Sequence, residues 1–164
     1  MKIIRLFSIC TVLGVLGISN AQGNGFAWQE LGEATYTGNC TTCHQTDGGG
    51  LPDTFPPLTG HLPNVFKAEG GRAYLVQVLL YGLQGKIEVL SKSFDNAMPA
   101  WPQLSDEEIA AVLNHALTSW DNSALLPEDF SPFLPEEVAV ERDKGLSAQD
   151  VLELRKSLGL DGAQ

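Results

Sequence analysis

The chain has 164 residues, which suffices for one small domain with a core, alone or with an appendage. Its 20 acidic and 10 basic side chains give a formal net charge of −10, which argues against nucleic acid and anionic membrane surfaces as partners. The excess of acid favours protein partners with a basic docking patch and salt-sensitive association, or serves solubility alone.

The N-terminal segment has the features of a signal peptide. Lys2 and Arg5 precede an apolar run over residues 6–18, and small residues follow up to Ala21. We predict cleavage after Ala21, so that residues 1–21 are removed and the protein is periplasmic or otherwise exported; an uncleaved N-terminal anchor is the alternative. The apolar run is shorter than the roughly 20 residues of a spanning helix, and no later segment approaches that length. Cleavage leaves 20 acids against 8 cations, a formal charge of −12.

A predicted helix over residues 29–43 ends in the strongest motif of the sequence. Cys40-Thr41-Thr42-Cys43-His44 places two thiols three positions apart and an imidazole beside them. Thiols at this spacing can meet the two vinyl groups on one edge of a porphyrin while the imidazole binds its iron. The motif therefore predicts one covalent haem c on Cys40 and Cys43, with His44 as an iron ligand. A redox-active dithiol needs a strand-rich context and a zinc site needs two further ligands, so these competing interpretations fit less well.

The segment after the motif is predicted to be loop, and a second helix follows it. Gly and Pro are concentrated over residues 46–64, which argues against regular structure there. Apolar residues recur at helical spacing over residues 72–81, and Gly82 follows as a helix-ending residue. We therefore expect a buried helix between two loops, of which the second covers residues 85–102.

Met98, in the second loop, is the candidate for the other iron ligand. Once the signal peptide is removed, it is the one methionine left in the chain. A single methionine on a proline-containing loop has no obvious packing role, and a thioether opposite His44 would complete a His/Met pair that raises the reduction potential of a haem. His61, in the first loop, and His115, on the last clear helix, are the rival ligands and would give a bis-histidine centre.

The last clear helix is followed by a segment of different composition. Ser105 and Glu108 form a capping box, and an apolar stripe follows it. Beyond Asp121 prolines interrupt the helical pattern, so we place a domain edge there and expect an acidic extension that wraps over the domain surface. Two short helices are predicted within it, beginning near Pro135 and Ser147. No strand-period alternation is long enough to predict a sheet.

Residues 29–120 resemble the class I cytochromes c. The resemblance implies an all-α fold of helices and loops wrapped around one covalent haem, with residues 22–120 as the cytochrome c domain and residues 121–164 as a C-terminal extension. It also implies that the carbonyl of Pro56 accepts the ring N–H of His44 and fixes its orientation. His115 stands where the family usually carries an aromatic residue that packs against the first helix. The matching positions are Gly32, Tyr36, Cys40, Cys43, His44, Pro56, Leu58, Gly60, Ala97, Met98, Pro99 and the run 104–109.

An iron with protein ligands on both sides is closed to substrates, so we expect outer-sphere electron transfer and no catalysis. The expected role is that of a carrier between a periplasmic dehydrogenase and a downstream acceptor. A permanent electron-transfer subunit of such a dehydrogenase, docked through the tail, is the first alternative. A haem peroxidase or gas sensor, in which Met98 is absent from the iron, is an alternative from another class. The candidates for contacts with the ring or its propionates are Arg72, Tyr81, Lys92 and Trp101.

Overall fold

The computed structural model describes residues 26–161, so the predicted signal peptide lies outside the described residues. Within this range the chain is mostly helical, as predicted, and none of the helices is long and apolar enough to cross a membrane. A short antiparallel hairpin separates the fourth and fifth helices along the chain. The elements are α1 (Gln29–Asn39), α2 (Thr41–His44), α3 (Leu62–Lys67), α4 (Gly71–Tyr81), β1 (Ile87–Val89), β2 (Lys92–Phe94), α5 (Asp106–Thr118), a 3-10 turn (Asn122–Leu125), α6 (Pro135–Arg142) and α7 (Ala148–Ser157).

Helices α1 and α5 cross at Gly32. A Cβ at this position would lie 2.4 Å from the carbonyl oxygen of Ala111 and 2.9 Å from the Cβ of His115, so glycine is what lets the two helices approach this closely. The imidazole of His115 lies 5.4 Å from the ring of Tyr36 and 6.2 Å from the ring of Trp120. The helix contact implied by the resemblance is therefore kept, with an imidazole in place of the usual aromatic ring.

We expect Gly32→Ala to lower the free energy of unfolding by about 1–3 kcal/mol, because the new methyl group overpacks the crossing. Gly38→Ala is the matched control on the same helix, since nothing lies within 4 Å of a Cβ at that position. The control should be neutral or slightly stabilising, because alanine is the better helix former. Urea unfolding of both variants, followed by circular dichroism, measures the difference. Equal stabilities would contradict a tight crossing at Gly32.

Two elements of the structure were not predicted from the sequence. Helix α3 begins at Leu62, inside the segment expected to be loop, and runs three residues beyond that segment to Lys67. Its Pro63 occupies the first turn, where a proline costs no helical hydrogen bond. The hairpin corrects the expectation that there is no sheet, because strands of three residues are too short for alternation to show. Leu90 and Ser91 form its turn at φ of 48° and 62°, without the glycine that usually marks such a turn.

The extension beyond residue 121 folds back over the rest of the chain. Its Phe133, Val138 and Val151 are fully buried in the same hydrophobic core as the apolar faces of α4 and α5. Helix α6 packs against α4 and α5, and α7 packs against α4. The apolar residues of the extension thus cover the chain's own core, while a domain edge at Asp121 stays a prediction.

Arg72 on α4 binds the extension through all of its guanidinium nitrogens. Nε lies 2.6 Å from one carboxylate oxygen of Glu137 and Nη2 lies 2.8 Å from the other. Nη1 donates to the carbonyl of Ser131 at 2.8 Å, and Nη2 also donates to that of Pro132 at 2.9 Å. The guanidinium carbon stands 4.1 Å from the centroid of the Phe133 ring. Hydrogen bonding to Arg72 holds the pKa of Glu137 below its ordinary value.

We expect Arg72→Gln to lower the free energy of unfolding by about 1–2 kcal/mol at neutral pH, because it removes these charge-assisted bonds. A carboxyl with a lowered pKa in the folded state stabilises the fold above its unfolded pKa, and this contribution is lost as the pH falls through the folded pKa. The difference from wild type should therefore shrink below roughly pH 4. Unfolding at several pH values tests this, with Lys156→Gln, which breaks a pair with exposed Glu153, as a control of small effect. A constant difference down to low pH would contradict the role of Glu137.

Candidate haem site

The end of α1 and the single turn of α2 bring the two thiols and the imidazole together. The backbone N–H of Cys40 donates to Tyr36 at 2.8 Å, and that of His44 donates to Cys40 at 2.9 Å. Gln45 then turns the chain away at φ of 62°, and its carbonyl accepts the hydroxyl of Tyr36 at 2.7 Å. Since the backbone is fixed at both ends of the motif, the three predicted haem-binding side chains belong to one rigid turn.

His44 is held in the form that binds a metal. Its side chain is buried, and Nδ1 lies 3.0 Å from the carbonyl oxygen of Pro56. Because a carbonyl can only accept, Nδ1 carries the proton and the lone pair of Nε2 remains for a metal. Burial lowers the pKa of His44, although the bond to Pro56 opposes this, so the neutral ring prevails at neutral pH. The contact implied by the resemblance is present in the structure.

Gly50 shapes the loop that presents the carbonyl of Pro56. Its N–H donates to the carbonyl of His44 at 3.1 Å, and its φ is +68°. A Cβ at this position would lie 2.4 Å from the carbonyl oxygen of Phe55 and 2.6 Å from that of Pro56. A side chain here therefore conflicts both with the backbone conformation and with the acceptor of the His44 ring.

We expect Gly50→Ala to lower the free energy of unfolding by about 1–3 kcal/mol, through backbone strain and displacement of the Pro56 carbonyl. Gly49→Ala is the neighbouring control, since its φ is not in the left-handed region and a Cβ there would meet chiefly the side chain of Asp47. Thermal unfolding of the haem-loaded proteins compares the two. A loss in Gly49→Ala as large as that in Gly50→Ala would contradict this account.

The loop that carries Met98 is fixed on one side by a short bridge to Leu83, the second residue after α4. The N–H of Met98 donates to the carbonyl of Leu83 at 2.8 Å, and the N–H of Leu83 donates back at 3.0 Å. Upstream, the side-chain amide of Asn96 donates to the carbonyl of Thr54 at 2.9 Å, which ties this loop to the one that follows His44. These bonds place Met98 at a cavity that is also lined by Cys40 and His44.

Two adjoining lobes of empty space lie between the motif and Met98. One, the loop lobe, is lined by loops and the hairpin and has an empty volume of about 640 Å³, which includes space open to solvent. The other, the helix lobe, is lined mainly by α1, α4 and α5 and has about 470 Å³ measured in the same way. Both lobes are lined by Cys40, His44 and Met98, and neither is lined by a charged residue. A flat apolar ring bonded at Cys40 and Cys43 fits such a divided, uncharged cavity.

The rival ligands lie elsewhere. His61 and His115 line neither lobe. His61 is buried at the start of α3, and His115 packs from α5 against Tyr36 of α1. Of the residues considered for ring or propionate contacts, Trp101 lines the loop lobe, whereas Arg72 and Tyr81 bind the extension. Lys92 lines a separate groove beside the hairpin.

The two competing interpretations of the cysteine pair find no support in the geometry. Burial, together with the negative charge of a nearby Cys43 thiolate, raises the pKa of Cys40 to about 11, whereas a redox-active dithiol requires a lowered thiol pKa. Across residues 26–161, no three His, Cys, Asp or Glu side chains form a group that could hold a metal ion by themselves. A protein zinc site at Cys40 and Cys43 would need such a group.

The sequence is similar to those of known cytochromes. Residues 28–115 match the family model described as cytochrome C oxidase, cbb3-type, subunit III. The chain is 48% identical over 136 residues to cytochrome c-552 of Thermus thermophilus, a match that covers 83% of this chain and 91% of that protein. It is 38% identical over 111 residues to the cytochrome c subunit of alcohol dehydrogenase (quinone) of Gluconacetobacter polyoxogenes, covering 65% of this chain and 22% of that subunit. It is 31% identical over 96 residues to the fructose dehydrogenase cytochrome subunit of Gluconobacter japonicus, covering 56% of this chain and 19% of that subunit.

Proposed function

Because the chain belongs to the bacterial class I cytochrome c family, we propose that it carries one haem c bonded to Cys40 and Cys43, with His44 and Met98 as the axial ligands of the iron. The protein is an electron-transfer cytochrome, and the chemistry on substrates belongs to its partners. We further propose that it is exported to the periplasm after cleavage at Ala21 and that it works there as a diffusing carrier.

The observation that supports this proposal best is the lining shared by the two lobes. Cys40, His44 and Met98 are the residues common to both, although they come from the first helical segment and from a loop more than 50 residues later. A haem bonded at its edge to Cys40, and held by His44 and Met98, would lie between the two lobes. Each of these three residues would then line both lobes, as observed.

Haem iron, when bound, supplies a one-electron couple, and the residues of this chain tune and protect it. The carbonyl of Pro56 fixes the ring of His44 and makes it a stronger donor to a metal. The uncharged lining excludes water and disfavours the more highly charged ferric state, which raises the reduction potential. Met98 acts in the same direction, because a thioether ligand favours the ferrous iron more than a second imidazole does.

We propose partners with a basic docking patch. Among residues 26–161, most of the cations are already engaged in ion pairs within the chain, so the acidic excess sets the surface field; the pairs are those of Arg72, Arg142, Lys144, Arg155 and Lys156. Residues 34–46 and 96–105, which hold the motif and Met98, have no acidic or basic side chain apart from His44. Acidic residues outside these segments would steer the partner by long-range attraction, while the contact at the site itself is uncharged.

A permanent dehydrogenase subunit is the second candidate, favoured by the similarity to the cytochrome subunits of alcohol dehydrogenase (quinone) and fructose dehydrogenase. The carrier role is better supported, because the match to cytochrome c-552 covers most of both proteins whereas this chain matches about a fifth of each dehydrogenase subunit. The extension also covers the chain's own core with Phe133, so this ring is not available for docking. Gel filtration with a candidate dehydrogenase separates the two roles, because a carrier elutes alone at ordinary ionic strength.

Visible spectra of the purified protein in both redox states test the proposal. We expect a low-spin haem spectrum, a weak Met-to-iron band in the ferric state, and a mass of the denatured chain raised by one haem. Slow carbon monoxide binding to the reduced protein is expected for a closed iron, whereas rapid binding would favour the peroxidase or gas-sensor alternative. A colourless chain from a host that attaches haem to other proteins would refute the proposal.

A further inference from the structure

The far side of the Met98 loop is held by groups outside the loop. Beyond the bridge between Met98 and Leu83, the N–H of Trp101 donates to the carbonyl of Leu79 on α4 at 2.8 Å. Residues 99–105 contain no helix or strand, so their conformation depends on such contacts. Because Trp101 lines the loop lobe together with Met98, any opening of this segment opens the cavity.

Arg142, the last residue of α6 in the extension, binds this segment through hydrogen bonds. Its Nη1 donates to the carbonyl of Pro102 at 3.0 Å and its Nη2 to the carbonyl of Leu104 at 2.8 Å. Its Nε donates to a carboxylate oxygen of Asp106, the first residue of α5, at 2.8 Å. All three guanidinium nitrogens therefore bind residues 102–106, where the Met98 loop runs into α5. Such charge-assisted bonds are stronger than bonds between neutral groups.

The guanidinium is carried by a helix end that is itself fixed. The hydroxyl of Tyr81 lies 2.7 Å from the carbonyl oxygens of both Glu141 and Arg142, and it accepts the N–H of Gly145 at 3.1 Å. Tyr81 is on α4, the helix whose Leu79 carbonyl binds the loop directly. The end of α4 thus positions both the Met98 loop, through Leu79, and Arg142, through Tyr81.

We propose that Arg142 is a positioning residue which keeps the Met98 loop closed over the site, so that the thioether stays at the iron. The inference rests on the proposed function, since it concerns the distal ligand. Removing Arg142 leaves the bridge to Leu83 and the bond of Trp101 to Leu79 in place, but frees the carbonyls of Pro102 and Leu104. The loop then opens locally more often, while the helices remain folded.

Carbon monoxide binding to the reduced protein measures this opening, because the gas reaches the iron when Met98 leaves it. We expect Arg142→Gln to bind carbon monoxide at least tenfold faster than wild type. Arg72→Gln is the matched control. It removes the ion pair with Glu137, which is on α6 like Arg142, but none of the bonds of Arg72 goes to residues 98–106. The control should bind carbon monoxide within about twofold of the wild-type rate.

An unchanged rate in Arg142→Gln, or an equal rise in Arg72→Gln, would overturn the proposal, because the effect would then be absent or would reflect general loosening of the extension. If Arg142→Gln does not fold, Arg142→Lys serves in its place. A lysine keeps the charge but cannot bind two carbonyls and a carboxylate in the same fixed geometry, so we expect a smaller rise that still exceeds that of the control. Failure of the proposed function looks different, because the wild type itself would then lack the Met-to-iron band.

Discussion

Replacing both Cys40 and Cys43 by alanine should give a chain that keeps no haem after acid extraction in organic solvent. Both covalent anchors are lost, and any ring that remains is held by its axial ligands and apolar contacts alone. The two lobes are lined almost entirely by apolar side chains, so without a ring they either collapse or admit water. A group that binds only the native state stabilises that state, and its loss should remove most of the stability of the fold.

The measurement has three parts: haem content after extraction, the mass of the chain, and thermal unfolding by circular dichroism. Thr42→Ala is the control within the same motif, because Thr42 is exposed between the two cysteines. It should keep its haem and unfold near the wild-type temperature. The single variants Cys40→Ala and Cys43→Ala should each retain one bond to the ring. Haem that survives extraction in the double variant would show that the anchor lies elsewhere.

Met98→Ala should keep its covalent haem and lose the weak Met-to-iron band. The reduction potential should fall by a substantial part of the ~0.8 V range over which axial ligands act, because water or another donor then favours the ferric state more than a thioether does. Carbon monoxide should bind the reduced variant rapidly, since one axial position is open. A potentiometric titration followed in the visible range gives the shift directly.

His115→Phe is the control for a rival ligand. It places an aromatic ring at the contact with Tyr36 and leaves both lobes unchanged, so the band and the potential should stay as in wild type. If His115→Phe removed the band while Met98→Ala kept it, the assignment of the distal ligand would be wrong.

The candidate site residues were within reach of sequence reasoning because the cysteine motif is local and Met98 follows from elimination. The two cysteines and His44 lie within five consecutive positions, and Met98 is the one methionine after Ala21. The start of α5 was predictable for the same reason: Ser105 and Glu108 exchange bonds of 3.2 Å and 2.8 Å across a single helical turn. Residues that act on near neighbours leave a pattern that can be read along the chain.

Contacts between distant segments leave no such pattern. Nothing beside Arg72 in the sequence indicates that it binds Glu137 rather than a haem propionate, and nothing beside Arg142 points to the carbonyl of Pro102. Helix α3 was missed because Pro63 at a first helical turn has the same composition as a proline in a loop. The hairpin was missed because Leu90 and Ser91 adopt positive φ without a glycine. In each case the tertiary structure decides what the local sequence leaves open.

Helix α7 and the residues after it also support the hairpin beside the cavity. Arg155, only 2% exposed, binds Asp161 at 2.9 Å and the carbonyl of Glu88 at 2.7 Å, and Asp161 accepts the N–H of Glu88 at 3.1 Å. Glu88 is in β1, next to Ile87, which lines the loop lobe. These bonds join positions 67 and 73 residues apart, so the support of β1 comes from a segment that lies far from it along the chain. Local unfolding of α7 therefore frees both backbone groups of Glu88 and loosens the wall of the cavity at Ile87.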